Sequence, residues 1–165
     1  MSGRYSGRRA EGSGYNGGGR RCDTSRSRPP FEVLEHTADV GIVVRGGDLR
    51  ELFANAGLGM FALMVDLEGV EEREERLIEV AARDQESLLV RWLTELLYYL
   101  DAEEMLFSRF EVEEVSETGL RARGFGERID QERHRLHFGV KAVTRHMLQI
   151  VPEDGGFRAT VLLDI

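Results

Sequence analysis

Leu88, Leu89, Trp92, Leu93, Leu96, Leu97 and Leu100 recur at the three-and-four spacing of a single helical face, and they constrain this chain more than any other feature. A helix with so broad an apolar stripe is not stable alone in water, so other elements must cover it and the chain has to build a core around it. Asp84, just ahead of the stripe, is a natural N-cap, and Glu86, Arg91 and Glu95 fall between the apolar positions. A second helix is predicted after Asp48, where Leu49, Leu52, Phe53, Ala56, Met60, Phe61 and Met64 share a face. Gly57 and Gly59 weaken its intrinsic propensity, so tertiary packing has to hold it.

Elsewhere the pattern is that of strands. Short apolar or alternating stretches at 76–82, 107–115, 119–127, 134–151 and 156–165 are bounded by glycines and acidic turns. A further apolar run, 31–44, is interrupted by His36, Thr37 and Asp39. Strands, two helices and then more strands do not follow the alternation of a doubly wound parallel sheet. The expected fold is α+β, with two helices packed on a mostly antiparallel sheet or pair of sheets. With 165 residues, 41% of them hydrophobic, there is room for one core and hence one domain.

That domain is expected to span residues 31–165. Residues 1–30 hold seven Arg against Glu11 and Asp23 and have almost nothing aliphatic to bury, so they are expected to form a disordered basic tail ending at Pro29 and Pro30. The formal charge of the whole chain is −8, so the body is strongly acidic. Such a body repels phosphate backbones, which argues against direct RNA binding by the folded part. The tail, with Tyr5 and Tyr15 among its arginines, has the chemistry to hold single-stranded nucleic acid weakly; the plainer reading is a solvated leader. Cys22 is the only cysteine, so no intrachain disulfide supports the fold, and a reducing, cytoplasmic setting is expected. No stretch reaches the roughly 18 consecutive apolar residues of a membrane span.

Familiar catalytic signatures are missing. No Gly-rich loop leads to Lys-Ser or Lys-Thr, no CxxC occurs, and there is no G-x-S-x-G elbow. What remains is a scatter of polar groups: His36, Asp39, Asp130, His134, His137, Lys141, His146 and Asp164. Asp39 follows one strand-like stretch and Asp164 ends another, which suits the rim of one sheet. The side chain of Asp164 and the α-carboxylate of Ile165 offer several oxygens to one ion, the donor set of a hard cation such as Ca²⁺ or Mg²⁺. A chain with 30 acids also ends in one by chance, so spacing alone leaves both readings open.

The segments "FEVLEHTADVGIVVRG", "LRELFANAGLGMFALM", "LLVRWLTELLYYLD", "GERID", "RHRLHFGVKAVTRHMLQI" and the terminal "VLLDI" occur in an order that resembles the archease family, over residues 31–165. The resemblance implies a small α+β protein that is not itself an enzyme but an accessory factor of the GTP-dependent RNA-splicing ligase. It promotes guanylylation of the ligase's active-site histidine and multiple turnover, and it meets tRNA only through the ligase. It also implies a divalent cation, calcium first and magnesium or manganese as alternatives, held by Asp39, Asp164 and the carboxylate of Ile165. His36 then positions Asp39 or serves the core, since a hard oxygen site has little use for imidazole. Lys141, the only lysine, stands near the pocket or ligase, or is a solvated strand lysine. Arg145 occupies a place where an aromatic is expected. Two other readings compete: a chaperone-like scaffold with a purely structural metal, and, more remotely, a phosphohydrolase using the same carboxylates.

Overall fold

The computed structural model describes residues 28–35 and 39–165; the basic tail before Arg28 and His36 with its two successors lie outside the described residues. The interrupted run 31–44 is not one strand but two. β1 (Phe31–Glu35) and β2 (Asp39–Gly46) pair antiparallel, with Phe31 opposite Val44 and Glu35 opposite Val40. Asp39 opens the second strand.

The two helices follow their predicted caps. α1 (Leu49–Met64) starts where the Asp48 carboxylate accepts from the Glu51 backbone N–H at 2.9 Å. α2 (Gln85–Glu103) starts in the same way, with Asp84 accepting from Ser87 at 2.7 Å. Each cap satisfies an N–H that the first helical turn leaves without a partner. α2 ends at Glu104, whose φ of 52° is left-handed and stops the helix.

Five more strands and β3 complete two antiparallel sheets. β3 (Glu74–Ala81), β4 (Met105–Val115) and β5 (Gly119–Arg128) form one, in the order β3-β5-β4. The other has the order β1-β2-β8-β6, with β8 (Gly156–Asp164) also pairing β7 (Ile150–Glu153); β6 is Ala142–Thr144. The stretch 134–151 reads as a strand in sequence, yet it is irregular as far as Lys141 and then splits into the short strands β6 and β7. Its apolar residues serve other contacts: Val140 and Leu148 are buried in the core, and Leu136 forms an isolated bridge to Val65.

α1 touches both sheets, which is why its two glycines fit. A β-carbon on Gly59 would stand 3.2 Å from Phe31, on β1 of the five-stranded sheet, and one on Gly57 would stand 2.8 Å from the Phe110 ring, on β4 of the three-stranded sheet. At Gly57 a side chain would force the ring to shift, and at Gly59 Phe31 would have to give by a few tenths of an ångström. Phe110 also packs edge-on to Trp92 at 5.3 Å, and the Trp92 indole N–H donates to the Phe53 carbonyl at 2.9 Å, joining α2 to α1. Phe53, Phe61, Trp92 and Phe107 are fully buried in this layer. Among the described residues, no helix is long and apolar enough to cross a membrane.

Arg145 clamps the N-terminus of α2, donating to the Ser87 hydroxyl at 2.6 Å and to Asp84 at 3.2 Å. The Ser87 backbone and hydroxyl, with the Arg145 charge, hold the Asp84 carboxyl at about 2. Where an aromatic would pack, the guanidinium instead latches the residue after β6 to the helix cap.

Gly57→Ala provides a clean test of the close approach. Helix propensity alone predicts stabilisation by about 1 kcal/mol, whereas overpacking against a ring held by Phe61, Trp92 and Phe107 predicts destabilisation by about 1–3 kcal/mol. We expect the second sign, read as a lower urea midpoint with an unchanged m-value.

Candidate metal site at the chain end

The antiparallel pairing of β2 with β8 places Asp39 directly opposite Asp164, one step beyond the pair Val40–Leu163. Val40 and Leu163 are buried, as are Ile42 and Val161 two residues further along the ladder. Side chains alternate across a strand, so Asp39 and Asp164 share the sheet face that points away from the helices. Directly opposed residues have β-carbons about 4.5–5.5 Å apart, which brings the two carboxylates within reach of one ion. Both are half-buried, and Ile165 follows with its side chain packed against the core and its α-carboxylate at the strand end.

Lys141 approaches from the other edge of β8. Its backbone N–H donates to the Asp164 carbonyl at 2.7 Å, and Ala142 then pairs with Asp164 in β6. The last residues of the chain are thus held on both edges, by Asp39 and by Lys141–Ala142. The Lys141 side chain is exposed.

On the smaller sheet many acids are matched by arginine. On the three-stranded sheet Arg121 and Arg123 lie between Glu75 and Glu79 on one side and Glu113 on the other. Arg109 bridges Glu72 and Glu111 and covers the Phe125 ring at 3.8 Å. Among the described residues no basic side chain is paired with Asp39 or Asp164. Nor do three His, Cys, Asp or Glu side chains gather as a cage anywhere among the described residues. As oxygen donors, Asp39 and Asp164 suit a hard divalent cation better than a soft metal. His36 lies outside the described residues.

One glycine shapes the face beside the acids. Gly41, next to Asp39 on the same face, stands between Leu34 of β1 and Leu162 of β8, and a β-carbon there would meet Leu34 at 3.1 Å and Leu162 at 3.3 Å. Its absence lets Leu34 and Leu162 form an apolar shelf beside the carboxylates, with Leu34 40% exposed. The sequence reading made nothing of this glycine.

The remaining histidines and Asp130 stand apart from the pair. His137 reaches Asp66 at 2.9 Å on the surface, and His146 is exposed. His134 is buried against Glu127, with its Nε2 at 3.0 Å from the carboxylate. Glu127 also accepts from the Glu71 backbone N–H at 2.9 Å and from Arg133 at 2.6 Å. Burial pushes its carboxyl up, but these donors outweigh it and hold the group at about 2. Asp130 accepts from the Glu132 backbone and Arg133, which lowers its own carboxyl as well. Glu127 was invisible to periodicity: alternation assigns it to the same face as Arg121, Arg123 and Phe125, where a glutamate is ordinarily solvated.

The fold is that of a small α+β protein with two antiparallel sheets, in which Asp39 and Asp164 face each other at the end of the β2–β8 ladder. The sequence pattern of the Archease protein family matches residues 31–165, and the chain belongs to the archease family. The archease of Methanothermobacter thermautotrophicus is 46% identical over 138 residues, covering 82% of this chain and 98% of that protein. That of Sulfurisphaera tokodaii is 40% identical over 137 residues, with 82% and 98% covered. Among solved structures, protein 1598 of Methanobacterium thermoautotrophicum superposes with a TM-score of 0.72 at 44% identity, over 82% of this chain and 99% of that one. The crystal structure of an archease from Thermotoga maritima, described as a possible chaperone, has a TM-score of 0.54 at 18% identity over 80% of this chain and 94% of that one, a likeness of fold alone.

Two outcomes follow from the electrostatics. Opposed like charges destabilise a sheet by about 0.2–1 kcal/mol, so Asp39→Asn raises thermal stability in chelator and abolishes any stabilisation that added Ca²⁺ confers on the wild type. Glu127 has a folded-state pKa near 2 against an ordinary 4.5, so its stabilisation is complete above 4.5 and lost as pH falls toward 2. Glu127→Gln is therefore less stable at neutral pH, and its stability changes less across that acid window in urea titrations.

Proposed function

We propose that this protein activates a GTP-dependent RNA-splicing ligase, promoting guanylylation of the ligase's active-site histidine and thereby multiple turnover, with the Asp39–Asp164–Ile165 site as its working end. The observation that carries the reading is the register of β2 against β8, which opposes two carboxylates beside a third. Membership of the archease family supports it.

Asp39 and Asp164 would hold a divalent cation through side-chain oxygens, and Ile165 would add its α-carboxylate. Bound there, the ion neutralises clustered negative charge and supplies a Lewis-acidic centre for phosphate oxygens. Without it, the three carboxylates repel one another and the chain end loosens, so cation binding and the folded tip are thermodynamically linked. The shelf of Leu34 and Leu162 beside the acids offers apolar surface to a protein partner, consistent with action on another enzyme's step. RNA is met through the ligase, because the acidic body repels phosphate.

The second reading is a chaperone-like protein-binding module whose metal is structural only; the description of the Thermotoga maritima relative favours it. The two part company in single- and multiple-turnover RNA ligation with the partner ligase. An activator loses its effect on turnover, by about tenfold or more, when Asp39 becomes Ala or when a few residues are fused after Ile165, while circular dichroism reports an intact fold. A scaffold keeps its effect in both variants. Equal acceleration by free and extended forms would remove the chain-end carboxylate from the site.

A further inference from the structure

Between β5 and β6, residues 129–141 form no helix and only one bridge, yet they deliver the Lys141 amide to the Asp164 carbonyl at 2.7 Å. An irregular segment of this length owes its course to discrete anchors rather than to a ladder of backbone bonds. At its far end the anchor is Val140, buried beside Lys141. In the middle, the His137 backbone N–H donates to the Met64 carbonyl at the end of α1 at 2.8 Å, and His137 reaches Asp66. At its origin stands a buried ionic knot.

The knot centres on Glu127, 3% exposed, and His134, 6% exposed, the buried polar residues of the core. The Asp130 backbone N–H donates to His134 Nδ1 at 2.9 Å, so the proton of the neutral ring sits on Nε2. That N–H faces Glu127 Oε1 at 3.0 Å and the Gly69 carbonyl at 3.2 Å. The other Glu127 oxygen takes Arg133 at 2.6 Å and Arg73 at 3.2 Å. One glutamate and one histidine thereby tie the start of the segment to the Leu67–Gly69 turn and to Glu71, on the chain that leaves α1. A buried carboxylate with this many donors tolerates little displacement, because each lost donor leaves charge unpaired in the interior.

We propose that Glu127 and His134 are positioning residues for the chain-end site: they pin the 129–141 segment to the turn after α1, and so set where the Lys141 amide holds the Asp164 carbonyl and, with it, the Ile165 carboxylate. The inference rests on the reading of Asp39, Asp164 and Ile165 as the working site. Chain termini fray unless tied down, and this one is tied on one edge only by Lys141 and the three residues of β6. Loosening the segment releases that edge while leaving β2 in place.

Native-state hydrogen exchange, with Tb³⁺ titration as the metal probe, tests this on the full chain. In Glu127→Gln we expect exchange of the Lys141 amide to accelerate by about tenfold or more and Tb³⁺ affinity to fall roughly tenfold, as for supporting residues of metal sites. The Ile78 and Leu120 amides, in the other sheet, keep wild-type protection. His134→Gln keeps an amide donor toward Glu127 but loses the acceptor for Asp130; it is expected to show the same pattern more weakly, and it carries the test where Glu127→Gln does not fold. Wild-type Lys141 exchange and Tb³⁺ affinity in the folded variants would overturn the proposal, as would a uniform loss of protection throughout the molecule. Local loosening of Lys141 together with unaltered ligase stimulation by Asp39→Ala upholds the anchor and rejects Asp39, Asp164 and Ile165 as the working site.

Discussion

The β2–β8 ladder is the constraint on which the rest of the structure depends. Its register sets Val40 against Leu163 and Ile42 against Val161 on the core face, and in the same stroke Asp39 against Asp164 on the other. A slip of one residue would turn the apolar set to solvent and the carboxylates into the core, so burial of Ile42 and Val161 enforces the acid pair. The energy that orders the site is hydrophobic; the charges are carried along by alternation. A polar arrangement that repels itself without a cation can persist because its own interactions do not have to hold it.

α1 makes that ladder part of a single core. Gly57 and Gly59 let it lie close to Phe110 on one sheet and Phe31 on the other, and the Trp92 bond to Phe53 ties α2 to the same layer. The charged surfaces have a different logic. Arginines between glutamates on β3, β4 and β5 neutralise the outer face of the smaller sheet, while the chain end is left anionic. Exposed ion pairs contribute little stability each, so their value here is largely to cancel charge.

Much was legible in the sequence. Both helices and their caps at Asp48 and Asp84 follow from apolar spacing and the chemistry of a carboxylate ahead of a helix. The α+β class follows from the order of elements, and the family from motifs spread over the body. The run 134–151 was misjudged because alternating apolar residues are equally produced by an irregular chain that buries Val140 and Leu148 and leaves Leu136 half-exposed. Arg145 reads as a mismatch in a strand, yet it completes the cap of α2, a contact between residues 58 apart that local pattern does not encode.

The sequence by itself determined what short-range physics controls: helix spacing, caps, the break at Asp39, an acidic body and a terminal Asp-Ile. It also supplied the donor chemistry of the candidate site, since residue types are enough to favour a hard cation. Only the tertiary structure decided which carboxylates meet. Asp39 and Asp164 lie 125 residues apart in the chain, and strand register alone makes them neighbours. Tertiary cover likewise converted Glu127 from a solvent-face glutamate into a buried anchor, because the chain after α1 and the segment after β5 close over that end of the sheet. Burial and register are properties of the assembled fold, and they decide which acids stand together and which are buried.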